Sequence, residues 1–160
     1  MSKEKIIVIG GGHAGVEAAS AAARMGCEVM LITHKLSSIG EMSCNPAIGG
    51  VGKSQLAREV DAMGGLMAIA ADAAGIHYRV LNSTKGQAVR ATRVQTDREM
   101  YKDAVQEAVK LTPNLTLLED SVEDILIKRG KVRGVRTLKK GEKLAAKIIL
   151  TTGTFLNGAM

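Results

Sequence analysis

At 160 residues, with 46% hydrophobic and 24% charged side chains, the chain has room for one domain with a sizeable core and is no disordered segment. No run of about 18 apolar residues exists, so no membrane-crossing helix is expected, and Met1-Ser2-Lys3-Glu4 runs into a strand with no space for a signal peptide, which predicts a cytoplasmic protein. The net charge of +6 and pI of about 9.5 suit an anionic partner, nucleic acid or a phosphorylated cofactor, or a merely soluble basic surface.

The first predicted element is the apolar run Ile6-Ile7-Val8-Ile9, which reads as a parallel strand covered on both faces. Gly10, Gly12 and Gly15 follow in G-x-G-x-x-G spacing. An Ala-rich segment from Ala14 to Met25 reads as a helix, Gly26 stops it, and Cys27–Thr33 reads as a second strand. In that setting each glycine has a physical task. Gly10 makes the tight turn, Gly12 lets backbone approach a pyrophosphate, and Gly15 lets the helix pack close to the strand. The helix N-terminus adds free N–H groups and a partial positive charge. A dinucleotide site is therefore expected here rather than a structural Gly-rich turn. One position departs from the pattern. The second strand should end in a carboxylate for the ribose hydroxyls, about 20 residues on. It ends Thr33-His34, with only the Thr33 hydroxyl on offer, and Glu28 and Glu41 are misplaced. The pattern thus supports a dinucleotide more firmly than NAD.

His34 to Gly52 reads as a loop. Its end, Ile48-Gly49-Gly50-Val51-Gly52-Lys53-Ser54, imitates a P-loop, but Ala47 stands where that motif needs glycine and Pro46 precedes it in place of a buried strand. A Gly-rich loop leading into a helix, Lys53–Met63, is the better reading, with Leu56, Val60 and Met63 as its apolar face. Cys44 sits in this loop, either as a nucleophile of lowered pKa or as an incidental thiol. Cys27, opening an apolar strand, reads as a small core residue. The two cysteines, Cys27 and Cys44, fit neither a disulfide framework nor a zinc site, and no metal site is expected.

Gly64-Gly65 ends the helix. Leu66–Ala73 reads as a short helix, with Met63 and Met67 as core filler, and Ile76–Leu81 as a half-buried strand with His77 and Arg79 outward. Asn82 to Arg98 is a polar stretch carrying Lys85, Arg90, Arg93 and Arg98, either a clamp for phosphates of a cofactor or an RNA, or a solvated loop. With aromatic residues at 2%, any nucleic-acid contact would be to phosphates rather than through stacked bases. Asp97 is placed to cap a helix running to about Leu111, with Met100, Ala104, Val105 and Ala108 on one face. Thr112-Pro113-Asn114 breaks it, and Leu115–Leu118 fits a further parallel strand. Val122–Lys128, Val132–Leu138 and Lys143–Ala146, separated by Gly-containing turns, read as an antiparallel meander. Ile148-Ile149-Leu150 returns to an apolar strand, and its Thr151-Thr152-Gly153-Thr154 end would bring backbone close to the cofactor.

In this order the elements resemble the FAD domain of glutathione-reductase-type flavoproteins. Gly10–Ala19, Met42–Gly50, Lys85-Gly86 with Val89–Arg93, and Thr151–Leu156 resemble more closely the MnmG family, also called GidA, of tRNA wobble-uridine modification enzymes. Thr33-His34 also matches that family. The resemblance implies an α/β fold of Rossmann-like FAD-binding type, a parallel sheet with an antiparallel β-meander, here an incomplete domain forming the N-terminal FAD-binding portion (residues 1–160). It implies FAD held over Gly10, Gly11, Gly12, His13, Ala14 and Gly15, with a backbone contact from Val122. It makes Cys44 the catalytic candidate and puts Arg90 and Arg93 on the flavin or tRNA side. Family members use NADH as reductant and, with an MnmE-type GTPase and a methylenetetrahydrofolate carbon donor, add an aminomethyl or carboxymethylaminomethyl group at C5 of uridine 34. They act as homodimers, off the membrane. Two other readings stay open: an FAD-binding module without turnover, and a relative of the folate-dependent, FAD-dependent tRNA uridine methyltransferases. Family members are roughly four times as long, so the resemblance implies that the inserted NAD-binding part and the C-terminal helical region fall outside these residues.

Overall fold

Apolar runs and Gly/Pro punctuation divide the chain much as the sequence suggests. In the computed structural model, which describes residues 4–42 and 46–153, the elements begin with β1 (Lys5–Ile9), α1 (His13–Arg24), β2 (Glu28–Thr33), β3 (Ala47–Gly49), α2 (Ser54–Ala62), α3 (Met67–Ala74) and β4 (Gly75–Leu81). They continue with β5 (Ala91–Thr96), α4 (Arg98–Leu111), β6 (Leu115–Glu119), β7 (Val122–Lys128), β8 (Lys131–Thr137), β9 (Gly141–Leu144) and β10 (Lys147–Leu150). Two units result, one from Met1–Ile39 with Val109–Met160 and one from Gly40–Ala108.

The first unit holds a four-stranded sheet in the order β10-β1-β2-β6, every neighbour pair parallel. Its central strands are apolar on both faces because both faces are covered. Ile7, Ile9 and Ile32 pack with Val135 of the β7-β8-β9 meander and with Ala145 just after it. Ile6, Val8, Val29 and Leu31 alternate to the other face, where α1 lies, and all four are buried. Each such aliphatic side chain contributes about 1.5–3 kcal/mol. Helix α1 presents Val16, Ala19, Ala22 and Ala23 to the sheet, small residues that let it lie close. Gly26 ends it at φ +90°, a left-handed turn that favours glycine.

The second unit is a three-stranded antiparallel sheet, β3-β5-β4, with α2 and α3 on one face. Here the structure departs from the sequence reading. The expected loop 34–52 contains β3, and the expected polar stretch 82–98 contains β5. Helix α2 shows the predicted apolar period, yet Leu56 and Met63 are 63% and 73% exposed, so Met63 is no core filler. Strand β4 forms where expected but is exposed over most of its length rather than half-buried. In α4 the buried stripe is Tyr101, Val105 and Val109, while Met100 is exposed. The cap is as predicted: the Met100 N–H donates to Asp97 Oδ1 at 2.9 Å. No helix among the described residues is long and apolar enough to cross a membrane.

Candidate functional site

The β1–α1 junction is a tightly constrained turn of the first unit. Strand β1 ends as the Gly10 N–H donates to the Ile32 carbonyl at 2.9 Å. Gly10 sits at φ +110°, and a Cβ there would meet the Thr151 backbone, 2.9 Å from its carbonyl carbon and closer still to its oxygen. Gly15 faces inward: a Cβ would lie 3.0 Å from the Gly10 carbonyl carbon, nearer to its oxygen, and 2.7 Å from Thr151 Oγ1. Gly11 is buried against Thr33 and Ile39.

Gly12 differs from all of these. It is the N-cap of α1 at φ −73° and ψ −178°, backbone any residue adopts, and it is exposed. A Cβ built on it meets nothing within 4 Å. The α1 terminus has no side-chain cap bond and no acidic residue in its first turn. Its leading N–H groups and partial positive charge therefore face open space beside Gly12. Ala14 is exposed next to it, and His13 is half-buried. Burial pushes the His13 imidazole below its ordinary pKa, with Glu17 pulling the other way, so the ring is neutral near pH 7. These features fit a dianionic pyrophosphate: small side chains, no side-chain cap and no acidic residue in the first turn.

Two side-chain contacts that brace the first unit are not announced by the sequence, one of them at the turn. The Thr151 hydroxyl donates to the Ile9 carbonyl at 2.8 Å and lies 3.3 Å from the Gly10 carbonyl oxygen, fastening the end of β10 to the glycine turn. The sequence reading brings the Thr151 backbone near the cofactor but says nothing of this hydroxyl contact. Asp120, buried between β6 and β7, accepts from the N–H groups of Ser121 at 2.8 Å and Lys140 at 2.9 Å, and from Lys139 at 3.2 Å. Nearby, Glu119 accepts from the Leu36 N–H at 2.9 Å and His34 Nδ1 lies 2.7 Å from Ser121 Oγ, so β6 anchors the chain leaving β2.

Val122 opens β7, opposite Thr137, and packs against the Ile7–Ile32 cluster. Thr33 is buried, its Oγ1 3.0 Å from the Cβ position of Gly11. Arg90 and Arg93 belong to the second unit, Arg90 donating to the Lys85 carbonyl at 3.3 Å. Cys44 lies outside the described residues. Among the described residues no three His, Cys, Asp or Glu side chains gather as metal ligands would.

A family model described as glucose inhibited division protein A matches residues 5–160. The chain belongs to the GidA family. Aquifex aeolicus GidA is 44% identical in both of its crystal forms. The form I structure superposes with a TM-score of 0.92 over 98% of this chain and 26% of the Aquifex chain. The form II structure gives 0.91 over 96% and 25%. The chain thus spans about a quarter of the GidA chains it matches. A GidA-related protein from Thermus thermophilus superposes at 0.67 with 18% identity over 97% of this chain and 55% of its own. PqsL, a probable FAD-dependent monooxygenase from Pseudomonas aeruginosa, does so at 0.59 with 16% identity over 93% and 41%. These last two share the fold alone. The GidA-family chain has the α/β, Rossmann-like FAD-binding fold, a parallel sheet flanked by an antiparallel meander.

Proposed function

We propose that this GidA-family chain holds FAD for a flavoenzyme that modifies C5 of uridine 34 in tRNA, adding an aminomethyl or carboxymethylaminomethyl group. The observation that carries the reading is the open, uncapped N-terminus of α1 at Gly12, in a chain that matches the GidA model over residues 5–160. FAD, when bound, supplies the redox chemistry. The chain's part is to bind and orient it. The backbone N–H groups from Gly12 through Gly15 neutralise the pyrophosphate, and Val122 contributes a backbone contact. Gly10 and Thr151 keep the turn in the shape that exposes those donors. NADH as reductant, a methylenetetrahydrofolate carbon donor, an MnmE-type GTPase and a homodimeric assembly complete the proposal, with Cys44 as the nucleophile.

Titration of the chain with FAD, followed by flavin fluorescence and absorbance, tests the cofactor step. Protein that leaves the flavin spectrum unchanged sinks it. The reaction is tested by nucleoside mass spectrometry of tRNA from cells whose GidA-family enzyme carries Cys44→Ser. Loss of the C5 modification with FAD binding retained is expected, and unchanged modification removes Cys44 from the mechanism.

A further inference from the structure

Between Asp72 and Asp97 the sequence has four basic residues, Arg79, Lys85, Arg90 and Arg93, and no acidic one. The second unit turns that bias into geometry. The antiparallel register sets Arg79 of β4 directly opposite Arg93 of β5, and His77 opposite Gln95. On the other side of β5, Gly49 lies opposite Arg93 and Ala47 opposite Gln95. Register partners share a face of the sheet, so these six residues line one surface. Strand β3 adds only a hydrogen and a methyl group to it, which leaves Arg93 and Gln95 open on that side. Arg79, Arg93, His77 and Gln95 are all exposed. The helices lie on the opposite face, where Val94 and Thr96 are buried and Arg58 of α2 donates to Thr92 Oγ1 at 2.8 Å.

Like charges directly opposite on neighbouring strands repel and weaken a sheet. A carboxylate partner would relieve the repulsion. None of the described ion pairs involves either arginine; those of this unit join Arg98 to Glu41 and Lys102 to Glu99. Directly opposite side chains of this kind leave the strands about 5 Å apart at Cβ, and each arginine carries a planar fork of donors matched to phosphate oxygens. The Gln95 amide and the His77 ring add hydrogen-bonding groups in the next row. Tyr78 alternates to the other face, so the two guanidiniums dominate this surface and it reads charge rather than sequence.

We propose that the Arg79–Arg93 cross-strand pair, flanked by His77 and Gln95, is a docking ledge for the phosphodiester backbone of RNA. The identity of that RNA as tRNA rests on the function proposed above. Charge complementarity selects the occupant: a ribbon with four cations and no anion faces a polymer with one negative charge per nucleotide. The contact is sequence-independent and sits on a unit separate from the Gly10–Gly15 turn.

The test is fluorescence anisotropy of labelled tRNA against the chain from about 50 to 200 mM salt, with FAD titrations on the same samples. Losing two phosphate contacts lowers the slope of log affinity against log salt by about 1.4–1.8. Arg79→Gln with Arg93→Gln is expected to show that drop and to weaken binding at least roughly tenfold at the low-salt end. Arg79→Lys with Arg93→Lys keeps most of the slope. Lys139→Gln with Lys140→Gln, which removes equal charge from the first unit, leaves it unchanged. FAD affinity holds in every variant. The inference is overturned if the Gln pair keeps the parental slope, if the Lys139/Lys140 control falls equally, if the Gln pair loses FAD, or if the parent chain does not bind tRNA. A parent that binds tRNA with the predicted slopes but takes up no FAD supports the ledge while rejecting the cofactor reading.

Discussion

Two alanine substitutions in the same motif should have opposite consequences. At Gly15 a methyl group would overlap the Gly10 carbonyl oxygen and stand 2.7 Å from Thr151 Oγ1, in a buried position. The obstacle is mainly backbone, so α1 or the turn has to move; overpacking of this kind costs about 1–3 kcal/mol. For a chain of this size that is a fall in Tm of roughly 2–12 °C, at about 2–4 °C per kcal/mol. At Gly12 a methyl group meets nothing within 4 Å and the backbone is already extended. Loss of the glycine's unfolded-state freedom stabilises by about 0.4–1 kcal/mol, and alanine is the poorer N-cap by a similar amount, so the Tm should move by no more than about 2–4 °C. The new methyl group would instead occupy the space beside the α1 donors. Gly12→Ala is expected to keep the parental melting curve while losing at least about tenfold in FAD affinity, roughly 1.4 kcal/mol. Gly15→Ala is expected to lose stability first. Calorimetric melts and flavin titrations on both variants decide the matter: a Gly12→Ala chain that binds FAD as tightly as the parent refutes the placement of the pyrophosphate.

Other outcomes follow from single contacts. Burial alone would raise the Asp120 pKa, but hydrogen bonds from Ser121, Thr137, Lys139 and Lys140 to the carboxylate outweigh it and hold the value below 3.8. A depressed folded pKa means that this stabilisation is complete above the unfolded value and is lost as pH falls through the folded one. Asp120→Asn should therefore lower the Tm at neutral pH and flatten its fall below about pH 3.8; a Tm–pH profile that overlays the parent's disproves this. Asp97→Ala removes the α4 cap and should cost about 1 kcal/mol, read as a shift in the urea midpoint without change of m-value. Arg79→Gln relieves a like-charge pair and should stabilise the chain by about 0.2–1 kcal/mol in low salt, less in high salt; a lower urea midpoint would contradict the repulsion.

The first unit was legible because its signals are local and strong. Ile6–Ile9, the Ala-rich α1, Gly26 and the Gly-punctuated meander each declare their state within a few residues, and burial on both sheet faces keeps the strands apolar. The second unit hid because its sheet is covered on one face only. Strand β5 buries Val94 and Thr96 and turns Arg93 and Gln95 to solvent, so its period is masked by charge and it resembles a loop. In α4 the face read from the sequence, Met100, Ala104, Val105 and Ala108, was right at Val105, but its other members sit one residue away from the buried i, i+4 stripe Tyr101-Val105-Val109. At the candidate site the letters alone cannot separate Gly12 from Gly15; only the distance to the Gly10 carbonyl does.

The arginine pair depends on something still less visible, an irregularity of one residue in β4. Gly75 lies opposite Thr96, but the next partner of β5, Gln95, lies opposite His77, so Ile76 is the extra residue of a bulge. Continued without that bulge, the same register would set Arg79 against Thr92 and Tyr78 against Arg93, and no two cations would meet. The bulge starts at a glycine for a steric reason. A Cβ on Gly75 would lie 2.6 Å from Tyr78 Cζ and 3.0 Å from the Ala71 carbonyl oxygen. A substitution at Gly75 therefore acts on Arg79 and Arg93 through register: Gly75→Val should alter the salt dependence of RNA binding as removal of the arginines does, although both guanidiniums remain. An unchanged salt slope in that variant, with the fold intact by circular dichroism, would show that cation count suffices and that the facing geometry is incidental.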